Sequence, residues 1–282
     1  MTEFIEILKS IIYGIIEGIT EWLPISSTGH LILFEELFWK SADKNFMEMF
    51  RVVIHLGAII AVIVMFFRKL NPFSSKKDSI AKRSTWEMWL KVIIACLPAA
   101  VVGLPFDDLL DKYFYNFPTV AVTLIIYGIA FILLESSQRK APIINDISEM
   151  SYKTALIIGA IQLLALIPGT SRSGVTILGA MLLGCSRVVA AEFSFFLAIP
   201  VMFGASLLKC VSYAKDMIDG EALMMSSTEI TVLLVGMIVA FVVSLMAIRF
   251  LTEYVKRKNF KPFGYYRIIL GIILLGYFFI FI

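Results

Sequence analysis

Residues 14–33 read Gly14-Ile15-Ile16-Glu17-Gly18-Ile19-Thr20-Glu21-Trp22-Leu23-Pro24-Ile25-Ser26-Ser27-Thr28-Gly29-His30-Leu31-Ile32-Leu33. Two carboxylates four residues apart share one face of a helix. Pro24 then breaks that helix, and small or polar residues form a turn before a second apolar run begins at Leu31. Ionisable groups in so apolar a setting are costly and mark a site when the segment lies at membrane depth.

A shift of 145 positions lays this stretch on another. Gly14 falls on Gly159, Glu17 on Gln162, Ser26 on Ser171, Ser27 on Arg172, Thr28 on Ser173 and Gly29 on Gly174, while Pro24 and Pro168 match with a one-residue slip. An offset of half the chain is the mark of an internal duplication. The copies have diverged in charge: the first carries carboxylates, the second a guanidinium.

Working outward, the composition fixes the class. Of 282 residues, 59% are hydrophobic and only 17% charged, with 23 Phe, and the mean hydropathy is +0.88. A soluble domain carries more charge, so the chain reads as an all-α polytopic membrane protein. Its net charge of +3 is gathered in loops, which is a topology signal and argues against nucleic-acid binding. Cys96, Cys185 and Cys210 lie in apolar runs without paired spacing and read as small buried hydrophobes. Glu3 and Glu6 stand where a secretory signal would be basic, so no cleavable signal is expected.

Residues 4–20 read as an apolar helix ending near Pro24. Residues 31–39 are too short to span a bilayer, which takes about 20 residues. The two pieces therefore form a re-entrant hairpin, a shape tolerated at membrane depth only when protein or a cavity surrounds it. Full spans follow at 48–67, 90–106 and 117–134. The pattern then restarts, with pieces 152–167 and 175–184 around the turn Pro168–Gly174 and spans at 188–210, 229–250 and 263–282. The expected fold has six transmembrane helices plus two re-entrant helical hairpins, in an inverted-topology repeat of about 1–140 and 148–282 within a single membrane domain.

The loops orient it. Loop 68–91 holds seven Lys or Arg against two acids, 135–153 includes Arg139 and Lys140, and 251–262 includes Lys256, Arg257, Lys258 and Lys261. The positive-inside rule sends these three to the cytoplasm. Loop 107–116, with Asp107, Asp108 and Asp111, and the acidic loop 212–228 go outside. Lys40 and Lys44 oppose this assignment but are outnumbered. Three spans per half make the halves inverted, so the first hairpin enters from outside and the second from the cytoplasm, and their polar tips meet inside the membrane.

Each tip precedes a helix, and helix N-termini offer free N–H groups and partial positive charge to anions, phosphate above all. Arg172 adds a fixed bidentate charge, and Ser26, Ser27, Thr28, Ser171, Ser173 and Thr176 add hydroxyls. Glu17 and Glu21 repel a naked phosphate and make sense as ligands of a divalent cation that bridges them to it. The constellation calls for a metal-bound phosphate or diphosphate at the membrane, and a lipid diphosphate with its tail in the bilayer fits best.

The runs Glu17–His30 and Pro168–Gly174 resemble the two signatures of the undecaprenyl-diphosphate phosphatases of the bacitracin-resistance type, and the likeness extends over essentially the whole chain. It implies removal of the terminal phosphate of undecaprenyl diphosphate to recycle the carrier lipid of cell-wall synthesis, in the bacterial plasma membrane, with a site open to the outer face. It implies dependence on Mg2+ or Ca2+. The functional residues it implies are Glu17, Glu21, Ser26, Ser27, His30, Ser171, Arg172 and Thr176.

Within that frame Ser27 is the preferred nucleophile, with Glu21 as its base and Glu17 mainly holding the metal, although the two acids' roles are interchangeable. His30 stays open as nucleophile, as acid for the leaving group, or as a group that only orients Ser27. Arg172 stabilises the transferring phosphoryl group or pairs with an acid for stability. Ser171, Ser173 and Thr176 either line the substrate or cap helices. His55 reads as a packing histidine, and Trp22, Trp39, Trp86 and Trp89 as packing or interfacial anchors. The Ser-Arg, five residues, His pattern of acid-phosphatase-type lipid phosphatases is absent, since Leu178 stands where it needs His. A lipid flippase or transporter with the same inverted repeat is the competing reading. A homodimer stays open beside the monomer.

Overall fold

The computed structural model describes residues 2–39, 44–103, 105–106, 113–137, 141–219 and 224–281. They form helices throughout, with one isolated β-bridge, Ile144 to Cys185, as the extended pairing among them. The first hairpin is α1 (Thr2–Thr20), a turn over residues 21–25, and α2 (Ser27–Phe34), which runs on as a π-helical turn, Glu35–Trp39. Next come α3 (Lys44–Val53), α4 (His55–Met65), the short α5 (Phe67–Leu70), α6 (Ser79–Pro98) and α7 (Phe117–Ser137). The second hairpin is α8 (Tyr152–Gln162), a 3-10 turn at Leu163–Leu166, and α9 (Arg172–Leu182); α10 (Arg187–Ile218), α11 (Ser227–Arg257) and α12 (Lys261–Phe281) complete the chain.

Six of these stretches are long and apolar enough to cross a membrane: Asn45–Met65, Ser79–Gly103, Phe117–Ser137, Arg187–Ile218, Ser227–Arg257 and Lys261–Ile280. The protein is therefore a multi-pass membrane protein with the expected number of spans. Helix ends differ from the expectation. The polar stretch 68–91 is not all loop, because α6 starts at Ser79, where the Asp78 carboxylate accepts the Ala81 N–H at 2.7 Å and caps the first turn. Lys82 and the exposed Arg83 are helical. After Pro98 the helix widens into a π turn, Ala99–Gly103. α1 ends at Thr20, before Pro24, although Glu21 N–H still donates to Glu17 O at 3.0 Å and keeps the two acids one turn apart. Lys40 and the acids Asp107, Asp108 and Asp111 lie outside the described residues.

The hairpins are held where helices come closest. α1 packs on α11, and α8 packs on α6. Both contacts rest on a glycine, at positions that match under the 145-residue shift. A Cβ on Gly14 would lie 2.7 Å from the Gly236 carbonyl oxygen, and one on Gly159 only 2.1 Å from that of Ala95. Side-chain-free contact of this kind lets membrane helices approach closely. The ends of the first hairpin are joined by Trp39 Nε1–H donating to Glu6. Those of the second are joined by Ile143 and Ile144 N–H donating to Gly184 O at 2.9 and 3.0 Å.

The three basic loops share one end of the molecule. Glu135, at the end of α7, binds the Arg187 guanidinium and accepts the Phe260 N–H at 2.9 Å. Lys69 donates to Glu192 at 2.8 Å, and Lys91 reaches the Ile147 and Ser148 carbonyls at 2.8 and 3.0 Å. Elsewhere Glu35 joins Tyr13 and Arg51, and Arg51 also lies over the Tyr115 ring.

Candidate functional site

The tips of the two hairpins meet around one carboxylate. Ser27 Oγ donates to Glu21 Oε2 at 2.9 Å. Arg172 reaches Glu21 Oε1 from Nη2 at 3.1 Å and from Nε at 3.4 Å. The backbone is tied as well, since Ser173 Oγ donates to the Glu21 carbonyl at 3.0 Å. Arg172 is further held by Nη1 donating to the Ser194 carbonyl at 2.8 Å, and its guanidinium lies 5.8 Å above the ring of Trp22. Trp22 is fully buried, with its ring edge-on to Phe195, so it packs beneath the site and is not an interfacial anchor. Trp39 is buried too.

Both tips use the same local device. Ser26 and Ser171 have left-handed backbones, φ 73° and 72°, and are the only non-glycine residues of that kind among those described. Each sits at a helix N-cap, where its hydroxyl accepts an N–H three residues on, from Gly29 at 3.3 Å and Gly174 at 3.1 Å. A non-glycine residue held there costs on the order of 1–3 kcal/mol, and such strain gathers at functional sites. The conformation turns the chain sharply, so that Ser27 and Arg172, the next residues, face each other across Glu21.

Glu17 lies behind this pair, with no exposed surface. His55, the first residue of α4, places Nε2 3.1 Å from Glu17 Oε1. The contact lacks hydrogen-bond alignment, and neither Glu17 carboxylate oxygen has a hydrogen-bond partner. One ligand atom each from Glu17, Glu21 and His55 falls within 4.8 Å of the others. The reading of His55 as a packing histidine is thus corrected: it faces the acid pair.

The remaining residues divide. Thr176 Oγ1 is 2.6 Å from Ser194 Oγ and also donates to the Arg172 carbonyl at 2.8 Å, so it braces the arginine's turn. Ser26 and Ser171 serve as caps, and Ser173 as a tie between hairpins. Thr28 is half-buried in the first turn of α2. His30 makes its polar contacts elsewhere: Nδ1 is 2.7 Å from the Ser26 carbonyl and Nε2 2.7 Å from the Tyr266 hydroxyl, with the rings stacked. A carbonyl only accepts, so Nδ1 carries the hydrogen, and in the neutral ring Nε2 accepts from Tyr266.

Arg267, which the sequence reading passed over, is fully buried in α12. It donates to Pro24 O at 3.2 Å in the first turn, and to Gly169 O at 2.9 Å and Thr170 O at 2.8 Å in the second. One guanidinium thereby clasps both turns. Its signal was available, since a lone arginine inside an apolar span invites the same question as Glu17.

Comparison with known proteins bears on these residues. The family model described as "Bacitracin resistance protein BacA" matches residues 10–273. An undecaprenyl-diphosphatase of Enterococcus faecalis is 60% identical over 276 residues, 97% of this chain and 98% of that protein. One of Acetivibrio thermocellus is 58% identical over 275 residues, 97% and 98% of the two chains. Undecaprenyl-diphosphatase 1 of Clostridium acetobutylicum is 55% identical over 280 residues, 99% of each.

Proposed function

This chain belongs to the bacitracin resistance protein family, and from that premise we propose that it removes the terminal phosphate of undecaprenyl diphosphate. It releases undecaprenyl phosphate and inorganic phosphate, returns the carrier lipid to cell-wall synthesis and so confers bacitracin resistance. The observation that carries the mechanism is the Glu21 carboxylate, shared by the Ser27 hydroxyl on one oxygen and Arg172 on the other.

Ser27 Oγ attacks the distal phosphorus while Glu21 takes its proton. The Oγ–P bond forms, the bridging P–O bond breaks, and the proton on Glu21 passes to the departing lipid phosphate. Water, activated by the same carboxylate, then cleaves the phosphoserine. Arg172 moves its charge from Glu21 onto the transferring phosphoryl oxygens, where charge stabilisation is the main source of rate. His30 positions the nucleophile, because its Nδ1–H holds the carbonyl of strained Ser26, whose neighbour is Ser27.

The donor set also fits a divalent cation, with Mg2+ or Ca2+ implied by the family resemblance. Glu17 presents two buried oxygens without hydrogen-bond partners, and Glu21 keeps lone pairs beyond those its donors use. When bound, such an ion screens the carboxylates from the incoming phosphate.

We further infer that the halves, about 1–140 and 148–282, form an inverted repeat with two re-entrant hairpins. The exchanged packing of α1 on α11 and α8 on α6 supports this. With the basic loops in the cytoplasm of a bacterial cell, the first hairpin opens the site to the outer face of the plasma membrane.

The deciding experiment is phosphate release from a polyprenyl diphosphate by purified protein in detergent, with and without EDTA. Metal-dependent release by wild type, lost in Glu21→Gln and Arg172→Ala, is expected. Trapping of a phosphoserine in wild type but not in Ser27→Ala identifies the nucleophile. A covalent phosphohistidine at His30 would reverse that assignment. Folded protein that binds the lipid yet releases no phosphate at any metal concentration would return the chain to the transporter reading.

A further inference from the structure

We propose that His55 is the third ligand of the cation site formed with Glu17 and Glu21, and that its nitrogen tilts the site toward a first-row transition ion such as Mn2+ over Ca2+. The proposal rests on the reading above that the phosphatase binds a divalent cation, and it names a ligand and a preference that this reading does not contain.

The first support is the geometry. Ligand atoms about 2.1 Å from a common ion, at right or tetrahedral angles, lie roughly 3.0–3.4 Å apart. His55 Nε2 and Glu17 Oε1 are 3.1 Å apart, and Glu21 supplies a third atom within the 4.8 Å cluster. An imidazole that only neutralised Glu17 would gain from donating a hydrogen bond. Here His55 Nε2 pairs with Glu17 Oε1 at 3.1 Å off ideal hydrogen-bond alignment, while the fully buried Glu17 Oε2 has no partner, and a cation shared among the three groups would satisfy both oxygens.

The second support is the way the spacing is built. A single stretch of α11 sets both helices. The Gly236 carbonyl meets α1 at Gly14, and the next one, Met237 O, meets α4 at Gly57, where a Cβ would be only 2.2 Å away. One turn later the Ala240 carbonyl would lie 2.9 Å from a Cβ on Gly18. Glu17 and Gly18 are neighbours, and His55 is two residues before Gly57. The backbone of α11 therefore fixes how far apart the backbones that carry Glu17 and His55 can lie. Ile54 keeps a helical backbone, with φ −59° and ψ −28°, so His55 lies within the continuous span Asn45–Met65, close to the point where α3 gives way to α4.

The chemical preference follows from the ligand types. Ca2+ and Mg2+ favour all-oxygen sites, imidazole suits Zn2+, Fe2+ and Ni2+, and Mn2+, at home among carboxylates yet a first-row transition ion, stands between the two groups. Two carboxylates and one imidazole admit Mn2+ and handicap Ca2+.

The test uses full-length protein in detergent with Mn2+ as the probe. Titration followed by the loss of free Mn2+ electron paramagnetic resonance signal gives affinity, and pulsed spectra report nitrogen coupling to the bound ion. Wild type should bind Mn2+ with a nitrogen modulation, more tightly than it binds Ca2+ by calorimetry. Glu17→Gln should abolish the binding, which ties the ion to this site. His55→Gln should lose the modulation and weaken Mn2+ binding about 10- to 100-fold, with little change for Ca2+. His55→Asp should restore Mn2+ affinity without the nitrogen signal. Wild-type binding without nitrogen coupling, or a His55→Gln affinity equal to wild type, would overturn the role of His55 and leave the cation reading intact. No binding of Mn2+ or Ca2+ by folded wild type would overturn the cation reading itself. If His55→Gln does not fold, the wild-type nitrogen signal still decides the matter.

Discussion

Glu21 holds the two hairpins together and faces the proposed chemistry with the same carboxylate. Glu21→Gln keeps the side chain's shape and removes the base. Its turnover should fall by about 10²–10⁴ with little change in KM, as measured by phosphate release across a range of lipid concentrations up to saturation. Arg172→Lys keeps the charge but loses the planar fork that spans Glu21 and the Ser194 carbonyl. Turnover should drop by roughly 10²–10³ although the protein stays folded. Arg267 is a different case. Arg267→Met strands three buried carbonyls across both turns and should cost about 2–3 kcal/mol, read as a lower melting temperature in detergent with activity falling in parallel. Glu17 and Glu21 were legible in the sequence as two acids one helical turn apart in an apolar run, and Arg172 because it stands in a polar turn that interrupts another. His55 and Arg267 each stand alone in a span. Their partners lie 38 residues away in one case and across both halves in the other, and local spacing carries no trace of either.

At the scale of elements, the turns and spans were readable and the ends were not. The offset of 145 residues lays Ser26 on Ser171, and the structure gives the two nearly equal φ angles. The early start of α6 was missed because Lys82 and Arg83 weighed as loop residues, whereas the Asp78 cap outweighs them. Asp78→Ala should loosen the first turn of α6 by about 1 kcal/mol, seen as faster amide exchange confined to residues 79–84. Contact between α8 and α6 has no slack. Gly159→Ala pushes a methyl group against the Ala95 backbone and should destabilise the protein by roughly 1–3 kcal/mol, by thermal unfolding in detergent. The same change at Gly276, where a Cβ meets nothing within 4 Å, should have no such effect.

For the whole molecule, length and hydropathy were enough to count six spans, because a bilayer sets how long an apolar helix must be. Which helices touch was not legible, since lipid-facing and protein-facing residues are equally apolar. The shared end of the basic loops gives a direct test of orientation. A cysteine placed at Ser74 should react with an impermeant maleimide only after the cells are opened. Labelling of intact cells would invert the whole arrangement, and with it the side from which lipid reaches the site.

The exchanged packing of the hairpins also bears on how the protein is made. The first hairpin reaches the bilayer early in synthesis, but α11, on which α1 rests, is translated about 200 residues later, and Arg172 about 150 residues later. At about 5–20 residues per second the ribosome needs roughly 10–40 s to supply that helix. Throughout the interval a nascent chain holds two acidic side chains in a hydrophobic setting with no cation from its own later half. Insertion should therefore depend on a membrane chaperone that shelters the amino-terminal segment, and chains truncated before Arg172 should be cleared by proteases faster than their hydrophobicity alone would dictate.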